Sequence, residues 1–117
     1  MSPRALLPEE RIHPRIREKI STSHADVVEE VERAVAEHPV VIVGMAQNPH
    51  VKRARTALTM HGVPFHYLEY GGYHNMWRRR NALKMWTGWP TFPMGFHNGV
   101  LIGGANELIA AAERGEL

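Results

Sequence analysis

Apolar positions along the chain change their period several times, and each change marks an element. Val27, Val28, Val31 and Val35 recur at helical spacing, with Glu29, Glu30, Glu32, Arg33 and Glu37 on the polar side. This predicts an amphipathic helix with N-caps available from Ser21, Thr22 or Ser23 and an end at His38-Pro39. Val40-Val41-Ile42-Val43 is a continuous β-branched run, the pattern of a strand buried on both faces. Asn48-Pro49 pairs a favoured N-cap with a favoured first helical residue. The apolar stripe of Val51, Ala54, Ala57 and Leu58 follows, and His61-Gly62 closes that helix. Residues 65–69 read as a second strand, Gly71-Gly72 as a break, and residues 75–87 as a helix with Gly88 past its end. Met94–His97 and Val100–Ile102 flank Asn98-Gly99, a strong hairpin signal. Gly103-Gly104 turns into a last helix over residues 106–114, with Leu108, Ile109 and Ala112 facing inward.

The predicted order is therefore α-β-α-β-α-β-β-α. Two early strands joined by a crossover helix pair in parallel with right-handed connection, and the terminal hairpin adds antiparallel strands. This is an α/β fold: a four-stranded mixed sheet with helices on both faces. Residues 1–22 precede it as a Pro- and Arg-rich extension, with Ile12, Ile16 and Ile20 four apart so that a helical turn or two docks on the domain at residues 23–117.

Composition narrows the chemistry. The 117 residues hold 14 Lys+Arg against 12 Asp+Glu, 8 His and no Cys. One domain of this length buries a core without disulfides. The lack of Cys excludes a thiol nucleophile, disulfide exchange, Cys-type zinc sites and an Fe–S cluster held by this chain's own thiolates. No apolar run reaches membrane-spanning length and no secretory leader is legible, so a cytoplasmic location without membrane partners is expected. A net charge of +2 is too small to indicate nucleic-acid binding. Arg78-Arg79-Arg80, with Trp77 and Trp86 on the same helix, reads as a solvated basic face with one Trp packed inward. No His-x-x-x-His or His-Glu-x-x-His spacing occurs, and no metal site is expected.

Three stretches resemble the glutaredoxins, especially their monothiol branch, over residues 23–117. Trp89-Pro90-Thr91-Phe92-Pro93 is similar to the family's Trp-Pro-Thr-x-Pro segment, whose last proline is cis. Residues 97–104 are similar to its hairpin and glycine pair. Val40–Val43 followed by Asn48-Pro49-His50-Val51 falls where the family has its central strand and cysteine motif. The resemblance implies a three-layer thioredoxin/glutaredoxin-like fold and a glutathione groove formed by Arg80, Lys84, Thr91, Phe92, Pro93, Gly103, Gly104 and Asn106. It departs from the family where the chemistry lies. Asn48 stands at the nucleophilic Cys and Val51 at the resolving one. Met45 replaces the Lys before the motif, and Ala105-Asn106 replaces the usual Cys-Asp.

A carboxamide has no thiolate form, so Asn48 retains the helix start and loses the mixed-disulfide chemistry. Its oxygen is expected to accept the Val51 N–H as an ordinary cap. The main reading is a redox-inactive binding module for a glutathione-like or peptide carboxylate or for a protein partner, with glutathione itself bound weakly or not at all. The alternatives are a non-redox glutathione- or metal-dependent enzyme using Asn48 and His50, and a structural subunit with a vestigial groove.

Overall fold

The computed structural model describes residue 5 and residues 7–117. The elements are α1 (Pro14–Thr22), α2 (Ala25–Glu37), β1 (Val40–Gly44), α3 (Pro49–Met60), β2 (His66–Glu69), α4 (Trp77–Thr87), β3 (Met94–His97), β4 (Val100–Gly103) and α5 (Ala105–Glu113). The sheet runs β2-β1-β3-β4. β1 pairs parallel with β2 and antiparallel with β3, and β3 pairs antiparallel with β4. Among the described residues no helix is long and apolar enough to cross a membrane.

β1 explains the layering. All five of its residues are buried. Successive side chains point to opposite faces. Val41 and Val43 join a core with Val27 and Val31 of α2, Leu83 of α4, and Met94 and Phe96 of β3. Val40 and Ile42 join a second core with Ala54 and Leu58 of α3 and Leu108 and Ala112 of α5. The sheet is thus sandwiched between α2/α4 and α3/α5. Gly95 permits the second layer to close, because a Cβ there would lie 2.5 Å from Leu108. Asn98 and Gly99 both have positive φ, 49° and 85°, the geometry that a two-residue hairpin loop selects.

The N-terminal boundary of α2 differs from the sequence expectation. The extension is itself helical to Thr22, so Ser21 and Thr22 fall in the last turn of α1, where both hydroxyls donate to the Glu18 carbonyl. They do not cap α2, which starts from His24 in a left-handed conformation with no side-chain cap. The expected docking of the extension is likewise not seen: α1 has no buried residue, and Ile16 and Ile20 are 47% and 54% exposed. α4 starts at Trp77 rather than Asn75, because the Asn75 side chain accepts the Gly72 N–H and Met76 takes φ 57°, which ends that turn before the helix can extend backwards. α5 starts at Ala105, one residue before the expected position, with the Glu107 carboxylate accepting the Gly104 N–H at 2.8 Å. Neither Trp of α4 is buried. Trp77 is 55% exposed, and Trp86 lies over Phe96 with ring centroids 6.0 Å apart yet stays 39% exposed.

Candidate functional site

Two helix starts face the same end of the sheet, past the C-terminal end of β1 and the N-terminal end of β3. At the first, Asn48 takes an extended conformation, and its Oδ1 accepts the His50 and Val51 N–H groups at 2.9 and 3.2 Å. The oxygen thus sits where a helix N-terminus attracts an anion, and it consumes those donors. Met45, in place of a cation, is 8% exposed and packs into the α2/α4 core. The hollow beside Asn48, about 530 Å³, is closed on its far side by Arg55, Tyr67 and Glu69. Arg55 stacks 3.8 Å over the Tyr67 ring, and the Tyr67 hydroxyl donates to Glu69 at 2.9 Å. Burial, and then the neighbouring Glu69 carboxylate, push the Tyr67 hydroxyl up to about 12. It is therefore a neutral donor at physiological pH, already engaged.

The second start is α5. A cavity of about 230 Å³ lies between it and the Phe92-Pro93 segment. The Phe92–Pro93 peptide bond is cis. Thr91, Phe92, Pro93, Gly104 and Asn106 line this cavity together with His50. Arg53, Trp89 and Glu107 also line it and were not among the sequence candidates. Arg53 donates from Nη2 to Asn106 Oδ1 at 3.0 Å, and the same nitrogen lies 3.5 Å from His50 Nδ1. Its position three residues after His50, on the same helix face, is the signal that could have found it. The indole Nε1–H of Trp89 is buried with no acceptor among the described residues. It lies against Gly104, where a Cβ would approach Trp89 Nε1, its Cζ2 and the Pro93 carbonyl to 3.4 Å each.

Three sequence candidates are placed elsewhere. Arg80 is 7% exposed, and its Nη1 donates to the carbonyls of Tyr70 and Asn75 at 2.9 and 2.6 Å. Its charge tethers the loop before α4 instead of reaching the cavity. Lys84 stands with its Nζ 5.8 Å from the Phe92 ring centroid, outside the cavity lining. Gly103, at φ 131°, serves the turn: a Cβ there would lie 2.6 Å from the Glu107 side chain that caps α5. His50 and His97 do not meet, since His97 lines a different hollow from His50, while His38 and His66 stack on each other with ring centroids 4.2 Å apart. Among the described residues no group of three His, Asp or Glu is placed to hold a metal.

No protein-family model matches the chain. It is 47% identical over 98 residues to a glutaredoxin-like protein of Dictyostelium discoideum, covering 84% of this chain and 80% of that one. The chain belongs to the glutaredoxin family. A second relative, glutaredoxin 4 of Buchnera aphidicola, is 32% identical over 97 residues, covering 79% of this chain and 88% of the relative. Among solved structures, oxidized glutaredoxin 2 from Chlamydomonas reinhardtii superposes with a TM-score of 0.67 at 27% identity, over 82% of this chain and 91% of its own. The glutaredoxin fold is therefore present in a chain that contains no cysteine.

Proposed function

We propose that this glutaredoxin-like chain is a redox-inactive binding module that takes the carboxylate end of a short peptide in the cavity at the start of α5. Thiol–disulfide exchange needs a thiolate to attack sulfur, and this chain has none. The observation that carries the reading is the buried Trp89 N–H without an acceptor among the described residues. An unmade hydrogen bond on a buried donor costs roughly 1–3 kcal/mol, and a ligand oxygen entering beside it recovers that cost. Arg53 supplies positive charge at the same wall. The backbone of Phe92 supplies strand-like pairing, which does not depend on side-chain identity.

The residues fit one end of glutathione rather than all of it. A cavity of about 230 Å³ accommodates a carboxylate with a few carbons. Arg80 is engaged by backbone carbonyls and Met45 carries no charge, so two charge-assisted contacts are missing. At ~1.5–3 kcal/mol each, their loss weakens glutathione binding by roughly two to four orders of magnitude relative to a groove that makes both.

Calorimetric titration with glutathione tests this. Saturable binding to the native chain is expected, weakened about tenfold by Arg53→Gln and removed by Gly104→Ala, whose new methyl occupies the cavity wall. Gly104 has φ −103°, so alanine is tolerated by the backbone. Binding that both variants leave intact, or no saturable heat with the native chain, contradicts the reading.

A further inference from the structure

A hollow at the opposite pole has different chemistry. It lies between the C-terminal end of α2, the start of β1 and the hairpin, and measures about 710 Å³. Its floor is apolar, with Val35, Pro39, Trp86 and Phe96, and its rim carries Glu32 and Glu37; no Lys or Arg among the described residues lines it. Trp86 remains 39% exposed there. The surface accordingly favours a cationic element with an apolar stripe.

The chain carries such an element. On α1, Ile16 and Ile20 are four apart and exposed, and Arg15 and Lys19, also four apart, border them. α1 holds Arg15, Arg17 and Lys19 against Glu18, whereas α2 holds Asp26, Glu29, Glu30, Glu32 and Glu37 against Arg33. α1 stands off the globule: none of its residues is buried, and the Cα radius of gyration is 15.3 Å where a compact chain of this length has roughly 13 Å. It also leaves from the wrong end of α2 to fill its own hollow. Folded back along α2, Ile16 descends about 9 Å and reaches only the near edge of the hollow at Glu32, about 10 Å down, whereas Val35 and Glu37 lie about 15 and 18 Å down that helix.

We propose that the hollow receives α1 of a second copy of this chain, with Ile16 and Ile20 against Trp86 and Val35, and Arg15 and Lys19 beside Glu37 and Glu32. Each chain has one arm and one hollow, so mutual exchange closes a two-fold dimer without leaving a free end.

Sedimentation velocity across a wide range of protein concentration, at low and high salt, tests the proposal. The native chain is expected to dimerise reversibly, and less at high salt. Ile16→Asp with Ile20→Asp is expected to raise the dimer dissociation constant about a hundredfold or more, and because both side chains are exposed the fold remains intact by circular dichroism. Glu32→Lys with Glu37→Lys is expected to weaken dimerisation about tenfold, and adding Arg15→Glu with Lys19→Glu to that variant restores it. A native chain that stays monomeric overturns the proposal, including the case where its arm is protected by its own globule. So does a dimer that the isoleucine changes leave intact, or a charge reversal that its complement does not rescue.

Discussion

The two helix starts at the end of β1 differ in what they do with their own polar groups. At α3 the Asn48 side chain turns back on the His50 and Val51 N–H groups and closes the site from within. At α5 the cap comes from Glu107 on the helix itself, while the neighbouring Trp89 N–H is buried without an acceptor among the described residues and Arg53 faces the same cavity. A helix start is an anion site only while its donors are free. Replacing a thiol by a carboxamide thus removes a nucleophile and, in the same step, fills the place where an external anion would sit. The proposed function accordingly puts recognition on the α5 side.

The largest test of this contrast removes the support of α5. Leu108 is fully buried, and Leu108→Ala is expected to destabilise the chain by about 2–5 kcal/mol, measured by urea unfolding, and to loosen the α5 cavity while leaving the Asn48 cap in place. Unfolding unchanged to within a few tenths of a kcal/mol would mean that α5 is not anchored as described. Next in size, Asn48→Ala deletes the α3 cap and is expected to cost about 0.5–2 kcal/mol with glutathione binding at the α5 site retained; loss of binding would show that the cap, and not only His50 and Arg53 from the same helix, holds the α5 cavity in shape. Asn48→Cys reopens the first start. The new thiol is expected to titrate below the usual ~8.5 of a free cysteine and to react with a disulfide at neutral pH faster than an exposed thiol elsewhere on the surface. An ordinary titration would show that Met45 and the local geometry no longer support a thiolate.

The smallest effect concerns pH. Tyr67 titrates near 10 in the unfolded chain and at about 12 in the folded one. Its contribution to stability is therefore complete below pH 10 and lost as pH rises toward 12. Tyr67→Phe is expected to flatten the alkaline limb of the stability profile, read by thermal unfolding at successive pH values. At the acidic end, Arg79 holds the exposed Asp26 carboxyl below its usual range through a hydrogen bond, at 2.7 Å. That contribution is present above the ordinary carboxylate pKa and disappears as pH falls through the lowered one.

The scaffold was legible because its signals are local or periodic. The β-branched run at Val40–Val43, the Asn48-Pro49 start and the Asn98-Gly99 turn each act through their own backbone. The lining of the candidate cavity was legible where backbone shape defines it, at Phe92, Pro93 and Gly104, and less so where a long side chain chooses its partner. Arg80 falls on α4 as expected, but the direction of its guanidinium depends on the Tyr70–Asn75 loop, which bends through Gly71 at φ 66° and presents two carbonyls to it. Arg53 is one of several polar residues on α3, and only the approach of α5 brings it to Asn106. Ser21 and Thr22 illustrate the same limit: their hydroxyls suit either the start of one helix or the last turn of another, and the helicity of α1 decides.

The most direct test follows the indole N–H resonances of the three tryptophans during titration with glutathione. Trp77 and Trp86 are exposed and outside the cavity lining, whereas the Trp89 Nε1–H is buried at its wall. The account predicts a saturable downfield shift of the Trp89 signal alone among the three indoles, with the Val51 amide, outside the cavity lining, unmoved. A stationary Trp89 signal, or shifts centred on the start of α3, would contradict it.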